Sequence, residues 1–309
     1  MRYSPFRHLP SIVRKAKPIQ LTYFVTRRCN AHCPFCFYLR AATGPASPGK
    51  ELTLEEIDRI ARSLGDLLWL AFSGGEIYLR EDIVEIARIF YRHNRPAIML
   101  FPTNGMLPEL IRKRTEEVLN SCKHSVIVVK LSLDGIGPAH DALRNTPGSF
   151  ERTMRTYDLL RDLVPFHPNF ELGVNSVFCS SNQDAMDVII DQVLGMSSIG
   201  THTISLARGA LLEERFKSID LAKYEHAVQR LELNLKRGSA SMYRFPGARI
   251  KAAQDVLQRK LILRTAREAR SVIDCYAGRI NVVLREDGEL SPCELREDGF
   301  GNVRDYGYD

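Results

Sequence analysis

Six short apolar runs, alternating with amphipathic stretches, set the strongest limit on how this chain can fold. Residues 19–25 (IQLTYFV), 67–73 (LLWLAFS), 97–101 (AIMLF), 126–133 (VIVVKLSL), 171–178 (ELGVNSVF) and 202–207 (HTISLA) read as strands. They are short and rich in β-branched and aromatic side chains. Between them lie segments with helical periodicity near 53–64, 82–93, 107–120, 149–163 and 184–195, the first opening on Thr53 and Glu56 in a capping-box pattern. Such alternation predicts a parallel sheet with helices packed outside it. Six units fall short of the eight that close a full barrel, so the expected fold is α/β, a partial (β/α)6 TIM-type barrel.

Two polar helices are expected next, at about 219–236 and 248–270, and then a small C-terminal β-hairpin at 278–292 turning on "REDG". The expected organisation is a basic N-terminal segment at 1–18, the partial barrel at 19–210, a helical connector at 211–270 and a C-terminal region at 271–309. No repeat of solenoid period occurs, and "ATGPASPGK" at 42–50 reads as a flexible tract.

No run of about 18 apolar residues is present, so no membrane span is expected. The N-terminus lacks the apolar core and cleavage site of a secretory signal, which points to the cytoplasm. In that compartment clustered cysteines signal metal more often than disulfide. The net charge is +6, yet the first fifty residues hold nine Lys/Arg and no Asp/Glu, so the remaining 259 carry the balance of −3. A basic edge of this kind is either solvated surface or a docking face for an acidic redox partner or an anionic substrate. Without interleaved aromatics or a nucleic-acid motif, no nucleic-acid partner is expected.

Three of the seven cysteines fall in "TRRCNAHCPFCFY", as Cys29, Cys33 and Cys36, just past the end of the first strand. In parallel α/β folds ligands collect at that end of the sheet. Buried structural thiols have no reason to bunch in one loop. A structural zinc site needs a fourth ligand, from His32 or a distant residue. A four-iron cluster accounts for the number three, because it leaves one iron open to an exogenous molecule. S-adenosylmethionine can fill that position through its amino and carboxylate groups. Electron transfer then breaks its sulfonium C–S bond and releases a 5′-deoxyadenosyl radical.

The spacing C-x3-C-x2-C, with Phe35 directly before the third cysteine, resembles the signature of the radical S-adenosylmethionine superfamily. The resemblance implies a [4Fe-4S] cluster on Cys29, Cys33 and Cys36 with S-adenosylmethionine bound to it. It extends to later strand ends across residues 19 to 210. "SGGE", Ser73 to Glu76, is similar to the family turn whose backbone and carboxylate hold the amino group of the methionine moiety; here Ile77 follows where proline is common. Gly74 and Gly75 would let the backbone approach that ligand closely. "TNG", Thr103 to Gly105, is also common in the superfamily. "SLDG", Ser132 to Gly135, followed by Arg144, resembles the subgroup acting on peptides and sulfatases, which implies Ser132 near the ribose and Arg144 on the carboxylate. Asn175 and the Leu206–Arg208 end of strand six are placed to line the cofactor.

"CYAGRINVVLREDGELSPC", from Cys275 to Cys293, is similar to the opening of the SPASM or twitch extension, which binds auxiliary iron–sulfur clusters. Gly301–Asn302 also fits that extension. Two thiolates do not complete a four-iron site, and no cysteine follows Cys293; truncation within a longer extension is the favoured expectation, with ligands from other residues or a degenerate site as the alternatives. Cys122 and Cys179 lie in or beside barrel elements and are expected to pack as buried thiols.

The expectation is therefore a radical enzyme, reduced by a one-electron donor such as a flavodoxin or ferredoxin. Its radical would abstract hydrogen from a peptide or protein, or from a small sugar, lipid or cofactor precursor. Two other classes stay open, a non-catalytic iron–sulfur electron carrier and a zinc-binding structural module. The general acid or base and the exact substrate have no legible motif.

Overall fold

The computed structural model describes residues 5–14, 17–38, 51–238, 248–296 and 299–306. The 42–50 tract lies outside the described residues. The six expected strands are all present: β1 (Gln20–Thr26), β2 (Trp69–Gly74), β3 (Ile98–Thr103), β4 (Val126–Ser132), β5 (Phe170–Phe178) and β6 (Ile199–Leu206). They pair in parallel, in sequence order. Helices α1 (Leu9–Arg14), α2 (Leu54–Ser63), α3 (Ile83–Asn94), α4 (Pro108–Ser121), α5 (Pro138–Leu143), α6 (Ser149–Arg161) and α7 (Met186–Gly195) precede or join them, and α8 (Leu221–Lys236) and α9 (Ala248–Glu268) follow. The fold is a partial TIM-type barrel.

The expected capping box opens α2: Glu56 N donates to Thr53 Oγ1 at 3.3 Å and Thr53 N to Glu56 Oε2 at 2.8 Å. Two short helices, α1 and α5, had no warning, because six residues hold too little periodicity to stand out.

Alternation along each strand divides the sheet into two faces. Tyr23, Phe72, Met99, Phe101, Val129, Leu131, Leu172 and Val174 belong to the large apolar core shared with the outer helices. The opposite face is more polar. On it, in register, stand Ser132 beside Asn175 and Lys130 beside Gly173. Lys130 donates to Thr203 Oγ1, and burial lowers its pKa to about 8.

The C-terminal hairpin is β7 (Asn281–Leu284) and β8 (Glu289–Ser291), followed by β9 (Gly301–Asn302) and the single-turn α10 (Val303–Tyr306). It forms no separate layer. Strand β7 pairs in parallel with β1, from Gln20↔Asn281 to Tyr23↔Leu284, giving the sheet order β6-β5-β4-β3-β2-β1-β7-β8-β9. The last segment is tied to the barrel by Arg304, whose Nε and Nη2 reach Glu56 at 2.6 and 2.9 Å. Among the described residues no helix is long and apolar enough to cross a membrane.

Candidate active site at the carboxyl ends of the strands

The cysteine loop leaves β1 at Thr26 and runs past the ends of β2 and β3. Its own backbone bonding is sparse: Cys36 N donates to Cys33 O at 3.1 Å. Neighbouring turns supply the rest. Gly75 N donates to Thr26 O at 2.8 Å and Glu76 N to Arg28 O at 2.9 Å, so the SGGE turn is stitched to the entrance of the loop. A Cβ on Gly75 would lie 2.0 Å from Arg28 O, and one on Gly74, at φ +116°, 2.4 Å from Thr26 O. The close approach that requires glycine here is thus to the protein's own cysteine loop, a reason that sequence reading had assigned to the ligand.

Glu76 is fully buried, and its carboxylate faces the TNG turn. Oε1 accepts from Thr103 Oγ1 at 2.8 Å and from Tyr78 N at 3.3 Å; Oε2 accepts from Asn104 N at 2.8 Å. Burial nonetheless pushes its pKa up to about 7, against the pull of those donors. The TNG turn closes the circuit. Asn104 Nδ2 donates to Asn30 Oδ1 at 2.7 Å and lies 3.9 Å from Cys29 Sγ, while Ala31 N donates to the same sulfur at 3.5 Å. Thr153 and Thr156 of α6 anchor the turn through the carbonyls of Asn104 and Gly105.

Arg144 is buried, with Nε and Nη2 on Asp134 Oδ2 at 2.8 and 2.7 Å. Burial works against its charge, but Asp134 and the nearby Cys33 and Cys29 thiols raise its pKa. Asp134, itself fully buried, also accepts Val177 N on Oδ1 at 2.7 Å, and its carbonyl accepts Asn182 Nδ2 at 3.0 Å. Sequence reading used the serine and the arginine of this region and missed the aspartate between them. The available signal was an acidic residue at a buried strand end, which needs a cationic partner.

The remaining predicted residues are placed as follows. Phe35 is buried against Phe216, ring centroids 6.0 Å apart, in an apolar cluster with Cys33, Met106, Leu143 and Cys179. Ser132 and Asn175 are half-buried neighbours, and Asn175 Oδ1 accepts from Ser205 Oγ at 3.1 Å. Leu206 packs partly against the cluster of α7 and α8, and Arg208 pairs with Glu294 of the C-terminal loop. Cys122 and Cys179 are fully buried free thiols, pushed up to about 12 and 11 by burial, as packing cysteines should be. Cys275 is exposed and Cys293 half-buried. Their segments meet, since Asn281 Nδ2 donates to Pro292 O at 3.2 Å.

Cys33 is buried, Cys36 half-buried and Cys29 exposed, so the loop is open on one side. Among the described residues no three His, Cys, Asp or Glu side chains meet the geometry of a single-ion site, and His32 is exposed. A multi-iron cluster does not need that convergence, because each thiolate takes its own iron. The donor set fits such a cluster: three thiols within electrostatic reach of one another, two nitrogen donors toward one sulfur, and a buried guanidinium to offset negative charge.

Comparison with known proteins agrees. A profile of the radical SAM superfamily matches residues 23–175. The AdoMet-dependent heme synthase of Methanosarcina barkeri is 26% identical over 302 residues, covering 93% of this chain and 80% of that protein. The antilisterial bacteriocin subtilosin biosynthesis protein AlbA of Bacillus subtilis is 27% identical over 293 residues, covering 93% of this chain but 57% of that protein. Among solved structures, Streptococcus suis SuiB bound to S-adenosylmethionine superposes with a TM-score of 0.66 at 15% identity, over 98% of this chain and 69% of that one; SuiB has also been solved with the precursor peptide SuiA.

Proposed function

The chain belongs to the radical SAM superfamily, and from that premise we propose that it abstracts hydrogen from a peptide or protein substrate at the open end of the barrel. The observation that carries this reading is the convergence of the β2, β3 and β4 turns on the Cys29–Cys36 loop. Cys29, Cys33 and Cys36 would hold the [4Fe-4S] cluster. With S-adenosylmethionine, and an electron from a donor such as a flavodoxin or ferredoxin, that group supplies a 5′-deoxyadenosyl radical.

The protein's own share is positioning. Gly74 and Gly75 bring the β2 turn against the loop, and Glu76 orients the TNG turn whose asparagine approaches Cys29. Ser132 and Asn175, on the polar face of the sheet, would line the S-adenosylmethionine site, whereas Leu206 packs toward α7 and α8; Phe35 with Phe216 would keep water from Cys33. Two nitrogens of the Arg144 fork are engaged by Asp134, so Arg144 acts mainly by holding positive charge beside the thiols. A shielded mouth matters because a primary carbon radical attacks whatever is nearest. The reducing chemistry of the site suits the cytoplasm.

Cys275 and Cys293 would serve an auxiliary cluster only with further ligands beside them, and as a pair would hold none. The second reading is modification of a cofactor precursor of tetrapyrrole type, favoured by the heme synthase, 80% of whose length is matched. Anaerobic reconstitution and assay for 5′-deoxyadenosine tests the shared chemistry: the wild type makes it and Cys33→Ala does not. Equal product from both sinks the assignment. Peptide and porphyrin substrates, offered separately, then divide the two readings.

A further inference from the structure

The hairpin turn between β7 and β8 carries a carboxylate that none of the chemistry above uses. Glu286 is 3% exposed, and its two oxygens take opposite flanks of the cysteine loop. Oε1 accepts from Nε of Arg27, two residues before Cys29. Oε2 accepts from the hydroxyl of Tyr38, two residues after Cys36, at 2.5 Å. Arg27 Nη2 also reaches Asp287 of the same turn at 3.4 Å, and the Glu286 carbonyl accepts Leu52 N at 2.7 Å at the approach to α2. The surroundings are packed. The Tyr38 ring lies 4.9 Å from that of Phe24, in a cluster completed by Val283 of β7 and touched by Cys36 and Phe37.

The loop between those flanks has little backbone bonding of its own, so its shape is imposed from outside. A buried carboxylate shared between a guanidinium and a hydroxyl is held firmly, because parting leaves a buried group unpaired. We propose that Glu286 is a positioning residue that clamps both flanks of the Cys29–Cys36 loop, so that the C-terminal hairpin sets how tightly the cluster is held and at what potential it is reduced. The proposal rests on the reading of that loop as a cluster site. It gives the hairpin a task whether or not Cys275 and Cys293 bind metal.

Glu286→Gln and Tyr38→Phe test it, since both keep shape while removing the charge or the hydroxyl. In the anaerobically reconstituted protein, iron loss to a chelator should be about ten-fold faster in each variant, the usual scale for outer partners of metal ligands. The reduction potential should shift, with far-UV circular dichroism unchanged. The double variant should be little worse than the worse single one, as expected of two residues in one contact. Glu289→Gln, in the same hairpin but away from the loop, should match the wild type. Folded variants with wild-type iron retention and potential overturn the clamp. If the wild type holds no iron, the cluster reading fails first. Trypsin cleavage after Arg27 and Arg28 in the metal-free chain still decides the clamp: about ten-fold faster cutting in Glu286→Gln supports it, and an unchanged rate overturns it.

Discussion

Around Cys29, Cys33 and Cys36 the ends of several barrel strands converge; around Cys275 and Cys293 a single hairpin turns back. The first group has turn glycines with no room for a Cβ, a buried carboxylate bridging two turns, and a buried ion pair within reach of its thiols. The second has an exposed thiol and a half-buried one, flanking a strand pair of four and three residues. Residue type is the same and spacing is clear in both. What separates them is how much of the rest of the protein is arranged around the sulfur. A site is built by the elements that restrict its ligands, and among the described residues the first loop has such a shell and the second pair does not.

The largest test of that contrast is Asp134→Ala. It leaves the Arg144 guanidinium buried without its counter-ion, a change of the kind that costs about 3–5 kcal/mol. Urea unfolding of the metal-free chain should show the loss, and an added Arg144→Met should recover part of it. Cutting the Arg304–Glu56 tie at the other end of the molecule, by Arg304→Gln, should cost well below that. Equal losses would mean that the two regions are held alike.

The parts of this arrangement legible in the sequence are the ones encoded locally. Strand runs such as VIVVKLS and the capping box at Thr53 declare themselves within a few residues, and C-x3-C-x2-C is complete in eight positions. The rest depends on partners far apart in the chain. Nothing in "INVVL" says that it will lie parallel to β1, and Tyr38 meets Glu286 across a separation of 248 residues. Asp134 was hidden differently: it stands inside a motif already read, but for its serine. A family resemblance singles out the glycines of SGGE in the sequence; the contact with Thr26 and Arg28 shows what needs them.

The next effect in size separates the regions by sign. Burial holds the Glu76 pKa at about 7, against 4.5 for an ordinary glutamate. Between those values the folded metal-free chain keeps a proton that the unfolded chain has lost, so stability falls as pH rises from 4.5 to 7. The span corresponds to on the order of 3 kcal/mol. Glu76→Gln should remove this slope, and parallel stability–pH curves for variant and wild type would show the carboxylate to be solvated. Glu56, tied to the C-terminal segment by Arg304, runs the other way. Its pKa is lowered to about 2, chiefly by the Arg304 hydrogen bond, so its stabilisation is present above 4.5 and lost as pH falls toward 2.

The smallest effect is expected where the second cysteine group itself is removed. Cys275 is exposed and Cys293 half-buried, and neither belongs to an apolar cluster, so Cys275→Ser with Cys293→Ser should move the unfolding free energy by no more than about 0.5 kcal/mol. Iron per chain after reconstitution should also stay at the wild-type value, because two thiolates leave half of a four-iron site unfilled. An iron content that falls by half in the double variant would show that other side chains complete a second cluster here. The contrast between the two regions would then lie in which residues answer the sulfurs, and no longer in whether any do.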